Sequence, residues 1–206
     1  MSGGITEAQR AALATLAPAL EAETYLAGGV AIAIALHHRT SLDLDLFVPH
    51  DFDPDRLLER VSADVPAVRA VGTARGTLHL EVSGVPVSIL SYRYPLLRPA
   101  QTNVATPIPI AALEDLACMK LSAIAGRGAA KDFWDLHELL ESGVAGGSLA
   151  TALELFRRKF PVDDVGHVVR ALAYFGDADA APLPAGLTAE RWRALKTAWA
   201  ERVKAL

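Results

Sequence analysis

The apolar stretch from Gly28-Gly29 through Val30-Ala31-Ile32-Ala33-Ile34-Ala35-Leu36, followed closely by the alternation Leu42-Asp43-Leu44-Asp45-Leu46-Phe47, constrains this chain more than any other feature. A helix that is apolar on every side must be buried all round. Strict alternation marks a strand with one face in a core and the other facing away. On that strand Leu42, Leu44 and Leu46 face one way, and Ser41, Asp43, Asp45 and Phe47 the other. Enclosing the helix requires a substantial core, and a chain of 206 residues with 51% hydrophobic content has one; at this length about 70% of the unfolded surface is buried on folding. The single Cys118 rules out a disulfide framework and any multi-cysteine zinc site.

Around this segment the patterning divides the chain into two halves. Thr6 followed by Gln9 has the form of a capping box, so a first helix is expected to about residue 20. Asp53-Pro54 predicts a short helix over 54–61. Three strand-like runs follow at 68–71, 77–82 and 85–92, the last two joined by the hairpin turn Ser83-Gly84. Residues 95–109 carry four prolines and read as a loop. Beyond them the period changes: 110–125, 129–140, 149–160 and 164–175 read as helices, and 188–206 as a last one after an Ala/Pro/Gly linker at 176–186. The layout is an α+β half of about 95 residues and then a helical half.

Several charged residues stand where a bland globular domain would not place them. Two carboxylates two apart on a strand, Asp43 and Asp45, project from one face within reach of a shared divalent cation, a geometry used in phosphoryl and nucleotidyl chemistry. A solvated edge strand would carry the same pattern. Gly28-Gly29 opening a helix offers free N–H groups, the positive end of a helix dipole and no Cβ to obstruct a phosphate, although glycine pairs also make plain turns. On a helical wheel Lys120 falls between Leu113 and Leu116, and Asp132 between Leu136 and Leu139. Both therefore point inward, where an unpaired charge is costly. They either pair with each other and lock two helices together, or face a cleft with the two aspartates, Lys120 on a phosphate and Asp132 or Asp135 completing the acidic set. Arg127 and Lys131 lie beside this cluster, and Arg157-Arg158-Lys159 reads as solvated helix surface, with contact to an RNA backbone as the alternative. His37, His38 and His79 show no metal-ligand spacing, and Trp134 and His137 lie off the apolar arc of their helix.

With Lys+Arg 20 against Asp+Glu 24 and a net charge of −4, the chain does not read as one that coats nucleic acid, though a transient RNA substrate is compatible with its local basic groups. No basic-apolar leader opens the chain and no apolar run approaches the roughly 20 residues of a bilayer span, so the expectation is a soluble, cytoplasmic protein without membrane association.

Four blocks in order, Leu26 to Gly29, Arg39 to Phe47, Tyr94 to Leu97 and Met119 to Leu136, together resemble the AbiEii/AbiGii-type nucleotidyltransferase toxins, members of the polymerase-β-like nucleotidyltransferase superfamily. The likeness spans about residues 25–140. It implies a small mixed-sheet nucleotidyltransferase lobe over 1–98 and a helical lobe over 99–206 that closes the cleft. It implies transfer of a nucleotide from an NTP, with Mg²⁺ or Mn²⁺, onto an acceptor such as tRNA, by the toxin of a toxin–antitoxin or phage-defence pair with a cognate antitoxin. By position it implies Gly28, Gly29 and Ser41 against the triphosphate, Asp43 and Asp45 on metal, Lys120 on phosphate with Arg127 and Lys131 nearby, and Asp132 or Asp135 completing the site. The wider superfamily places a third carboxylate where this chain has Ser88; Glu81 on the neighbouring strand is the candidate substitute, and Asp132 the other. The competing expectation is a module that binds NTP or RNA but has weak or no turnover. A phosphohydrolase using Asp43 as nucleophile is disfavoured, because Leu46-Phe47 follows Asp45 where such sites favour Thr or Gly.

Overall fold

The Thr6 hydroxyl accepts from Gln9 N at 3.1 Å and the Gln9 amide oxygen accepts from Thr6 N at 2.9 Å, the reciprocal bonds that start helix α1 (Glu7–Leu16). The computed structural model describes residues 4–65 and 67–206. Gln9 is buried although polar, and its Nε2 donates to the carbonyls of Ser41 at 2.7 Å and Leu42 at 2.9 Å. One capping residue thereby holds the chain that leads into the aspartate strand.

β1 (Tyr25–Ala27) runs into α2 (Gly28–Leu36), whose residues Gly29 to Ile34 are all buried, as the unbroken apolar sequence requires. His37, in left-handed conformation, ends it. β2 (Leu44–Val48), α3 (Pro54–Asp64, capped by Asp53), β3 (Val68–Ala74), β4 (Thr77–Val82) and β5 (Val85–Ser91) follow. The sheet is completed by β6 (Gln101–Asn103) and β7 (Thr106–Ile110), in the order β3-β4-β5-β2-β1-β7-β6. β2 pairs parallel with β5 and β1 with β7, while the other neighbours are antiparallel, so the sheet is mixed.

Two expectations change here. Residues 95–109 are not all loop: β7 carries Pro107 and Pro109 at alternate positions, while Thr106, Ile108 and Ile110 point into the core. Proline lacks the N–H that a central strand needs, but β7 lies near the sheet edge beside the three-residue β6 and joins β1 through Ala111 N donating to Leu26 O at 3.0 Å. The β2 alternation is also shorter than read, since Leu42 is 71% exposed ahead of the strand. Phe47 is buried although it shares the outward face with Asp45, because Tyr25 stacks on it at 5.8 Å and Tyr92 meets it edge-on at 5.2 Å.

The chain forms two compact units, one ending at Ala112 and the other spanning Leu113–Leu206. The first reaches beyond residue 98 because β6 and β7 belong to its sheet. The second holds α4 (Leu113–Arg127), α5 (Ala130–Glu141), α6 (Leu149–Lys159), α7 (Gly166–Leu172), α8 (Gly176–Ala180) and α9 (Ala189–Lys204). The stretch read as a linker thus contains α8. Trp134, expected off the apolar arc, is 1% exposed, because α9 packs on α5 and lays Arg191 over the indole at 4.7 Å. No described helix is long and apolar enough to cross a membrane.

Candidate active site

The first unit brings four of the expected residues, Gly28, Gly29, Ser41 and Asp45, to one place. Gly28 has φ +69°, and a Cβ there would stand 2.2 Å from Asp45 Oδ2. At Gly29 a Cβ would stand 2.5 Å from Ser41 Oγ and 2.7 Å from Arg39 Nη2. Gly28 is therefore required both by close approach and by its backbone, whereas at Gly29 a side chain would first have to displace the ends of Ser41 and Arg39. β1 is antiparallel to β2 with Ala27 opposite Asp45, which carries the start of α2 directly onto the carboxylate. Ala27, the residue before the helix, supplies no side-chain cap to the first-turn N–H groups. Such a helix start favours anions through its unsatisfied donors and its dipole. Asp45 is half-buried on β2, whereas Asp43 is exposed one residue ahead of the strand. Arg39 is a neighbour of the cradle that sequence reading left without a role; its place three residues ahead of Leu42 in the same tethered segment was the available signal.

Two carboxylates of hard oxygen character suit Mg²⁺, which ordinarily takes one or two carboxylates and completes its shell with waters and substrate phosphates. Among the described residues no group of three or more His, Cys, Asp or Glu forms a closed metal cage. A strand carboxylate lying against a helix start that has no side-chain cap fits a cation shared with a ligand. Ser88 is directly opposite Asp45 in the β2–β5 register. Glu81 does not stand in for a carboxylate there: it lies opposite Pro86 and binds Arg69 at 2.6 Å. Ser88 Oγ instead lies 3.0 Å from His79 Nδ1.

In the second unit Lys120 Nζ lies 2.8 Å from Asp132 Oδ1 and 2.7 Å from Asp135 Oδ2, with both carboxylates fully buried. Arg127 reaches Asp132 through Nε at 2.7 Å and Nη2 at 2.9 Å, a bidentate pair. Burial alone would raise the Asp132 carboxyl, but the Arg127 and Lys120 hydrogen bonds and charges outweigh it and hold the group below the usual aspartate range. The inward-pointing charges thus pair, as one of the two readings required, and Asp135 joins Asp132 rather than replacing it. Lys131, next to Asp132 in the chain, is half-buried on α5. In the basic run Arg157 and Arg158 are exposed, but Lys159 is not surface: it is fully buried against Asp115 at 2.6 Å and joins α6 to α4.

The sequence matches the family described as nucleotidyl transferase AbiEii toxin, type IV toxin–antitoxin system, over residues 11–95 and 61–206. An Aquifex aeolicus protein, aq_aa25, is 38% identical over 159 residues, covering 75% of this chain and 74% of its own. Among solved structures, the nucleotidyltransferase toxin MenT4 of Mycobacterium tuberculosis superposes with a TM-score of 0.63 at 17% identity, over 97% of this chain and 82% of its own. JHP933 of Helicobacter pylori superposes with a TM-score of 0.51 at 18% identity, over 96% and 89%. The two structural likenesses show a shared fold, and the family match extends along nearly the whole sequence. The chain belongs to the AbiEii family of nucleotidyltransferase toxins.

Proposed function

We propose that this protein transfers a nucleotide from an NTP onto an RNA acceptor, tRNA being the expected class, and does so in the cytoplasm as the toxin of a toxin–antitoxin or phage-defence pair whose antitoxin restrains it. The observation that carries the reading is the Gly28–Asp45 contact, where a helix start without side chains lies against a strand carboxylate. The first-turn N–H groups of α2 bind the triphosphate, and Gly28 and Gly29 let it approach the backbone. Ser41 donates to a phosphate oxygen, and Arg39 offsets charge beside it. Asp43 and Asp45 would hold Mg²⁺ or Mn²⁺, which would supply charge neutralisation at the α-phosphate and at the departing pyrophosphate.

Lys120 neutralises Asp132 and Asp135 in this reading, with Arg127 pairing Asp132 beside it. Incubation with each α-labelled NTP, Mg²⁺ and total tRNA tests the proposal; label on RNA is the expected result. Saturable NTP binding without label would favour the second reading, a binding module without turnover, which draws on Ser88 standing where the superfamily has a carboxylate.

A further inference from the structure

Asp45, Ser88 and His79 form one row across three adjacent strands. Asp45 is opposite Ser88 in the parallel β2–β5 pair, and Ser88 is opposite His79 in the antiparallel β5–β4 pair. Directly opposed residues share a face of the sheet, and neighbouring strands lie about 4.8 Å apart. The row therefore leads from the proposed nucleotide site to an exposed imidazole in two steps, with the second step a hydrogen bond of 3.0 Å between Ser88 Oγ and His79 Nδ1. Arg69 and Glu81, on the same face two residues along, bind each other. Asp45 stands at the far end of the row, Arg75 lies in the β3–β4 turn, and α3, which packs on β3 and β4, buries Leu57 and Val61.

Transfer to a hydroxyl needs a group to take its proton. The residue opposite Asp45 is Ser88 rather than a carboxylate, and a serine hydroxyl alone is no base at neutral pH. We propose that Ser88 and His79 are a proton relay for the acceptor hydroxyl, an inference that rests on the nucleotidyltransferase reading above. As the acceptor oxygen forms its bond to the α-phosphorus, its proton passes to Ser88 Oγ and the Ser88 proton passes to His79 Nδ1. The bond between the α-phosphorus and the bridging oxygen to the β-phosphate breaks, and pyrophosphate leaves with that electron pair. The imidazolium then returns its proton to water. Serine activated by an adjacent imidazole is a recurrent arrangement; here the serine passes a proton on and forms no bond to phosphorus.

The test compares His79→Ala, His79→Gln, Ser88→Ala and the double variant His79→Ala/Ser88→Asp with wild type in the labelled-NTP and tRNA assay. His79→Ala, His79→Gln and Ser88→Ala are each expected to lower kcat about 100-fold or more, with KM for NTP within about twofold. His79→Gln keeps a hydrogen-bonding side chain, so full activity in that variant would show a merely structural role and overturn the relay. Ser88→Asp supplies a direct proton acceptor and is expected to restore the rate in the His79→Ala background; failure to do so overturns the relay. Label retained on Ser88 itself would also overturn it, since the serine would then be the acceptor. Independently of activity, the nitrogen NMR shift of His79 Nδ1 is expected to move in Ser88→Ala; an unchanged shift counts against the pair. An active wild type with an unimpaired His79→Ala sinks the relay alone, whereas an inactive wild type sinks the proposed function and the relay with it.

Discussion

Asp45 Oδ2 stands 2.2 Å from where the first side-chain carbon at position 28 would be, so Gly28 and Asp45 occupy a space that admits only one side chain. Gly28→Ala must move the carboxylate and also hold alanine at φ +69°. The expected cost is about 2–4 kcal/mol, with nucleotide transfer lost. Gly84, at φ +84° and with open space for 4 Å around the place a methyl would take, isolates the backbone part. Gly84→Ala should cost only about 1 kcal/mol, and equal urea midpoints for the two variants would refute the contact.

Asp43 is exposed and lies ahead of β2, so its carboxylate contributes little to folding. Asp43→Ala is expected to abolish label transfer while the thermal midpoint stays within about 3 °C of wild type, a shift of about 1 kcal/mol or less in a chain of this size. A large drop in the midpoint, measured by calorimetry, would assign Asp43 a structural role instead.

Lys120 is 5% exposed and meets two carboxylates that are fully buried. Lys120→Met leaves Asp132 with Arg127 and removes the ion pair of Asp135, and should destabilise by about 3–5 kcal/mol. Replacing Asp132 as well still leaves Asp135 buried without its Lys120 ion pair, so a two-site apolar replacement is expected to recover less stability than a three-site one. The triple replacement Lys120→Met/Asp132→Leu/Asp135→Leu is expected to recover most of it, measured by urea unfolding, and to remain without transferase activity.

Asp132 gives a defined acid response. Its folded-state pKa is held below the unfolded value by Arg127 and Lys120 against the opposing effect of burial, so the folded state binds its proton less readily. The stabilisation is present in full above the unfolded aspartate value near 3.9 and is lost as pH falls through the lower folded value. Stability measured against pH should fall in that acid window, and Asp132→Asn should remove part of the slope. An identical slope in the variant would contradict the assignment.

Cys118 is completely buried, and its thiol is pushed up to about 12 by burial and then by the negative charge of Asp115. The thiolate is the reactive form. A thiol reagent at pH 8 is expected to leave the native protein unmodified over the time in which unfolded protein reacts completely, with intact-mass spectrometry as the readout. Rapid labelling of native protein would show that α4 opens.

The local signals decided much of this protein. The Thr6 and Asp53 caps, the enclosed α2 and the Ser83-Gly84 hairpin each follow from a few neighbouring residues, because capping, periodicity and turn conformation are short-range. The inward angles of Lys120 and Asp132 were equally legible, since a charge inside an apolar arc is visible on the wheel. Pairing across sequence distance was decided by the tertiary structure. That is why prolines 107 and 109 sit in a strand that β1 supports, why Phe47 is covered by Tyr25, and why Lys159 disappears against Asp115. It also decided that Lys120 serves two aspartates at once and that Gly28 is fitted to Asp45. The physical reason is the same in each case: the sequence sets which faces must be buried and which charges must find partners, but the partner is whichever group the packed chain brings within a few ångströms.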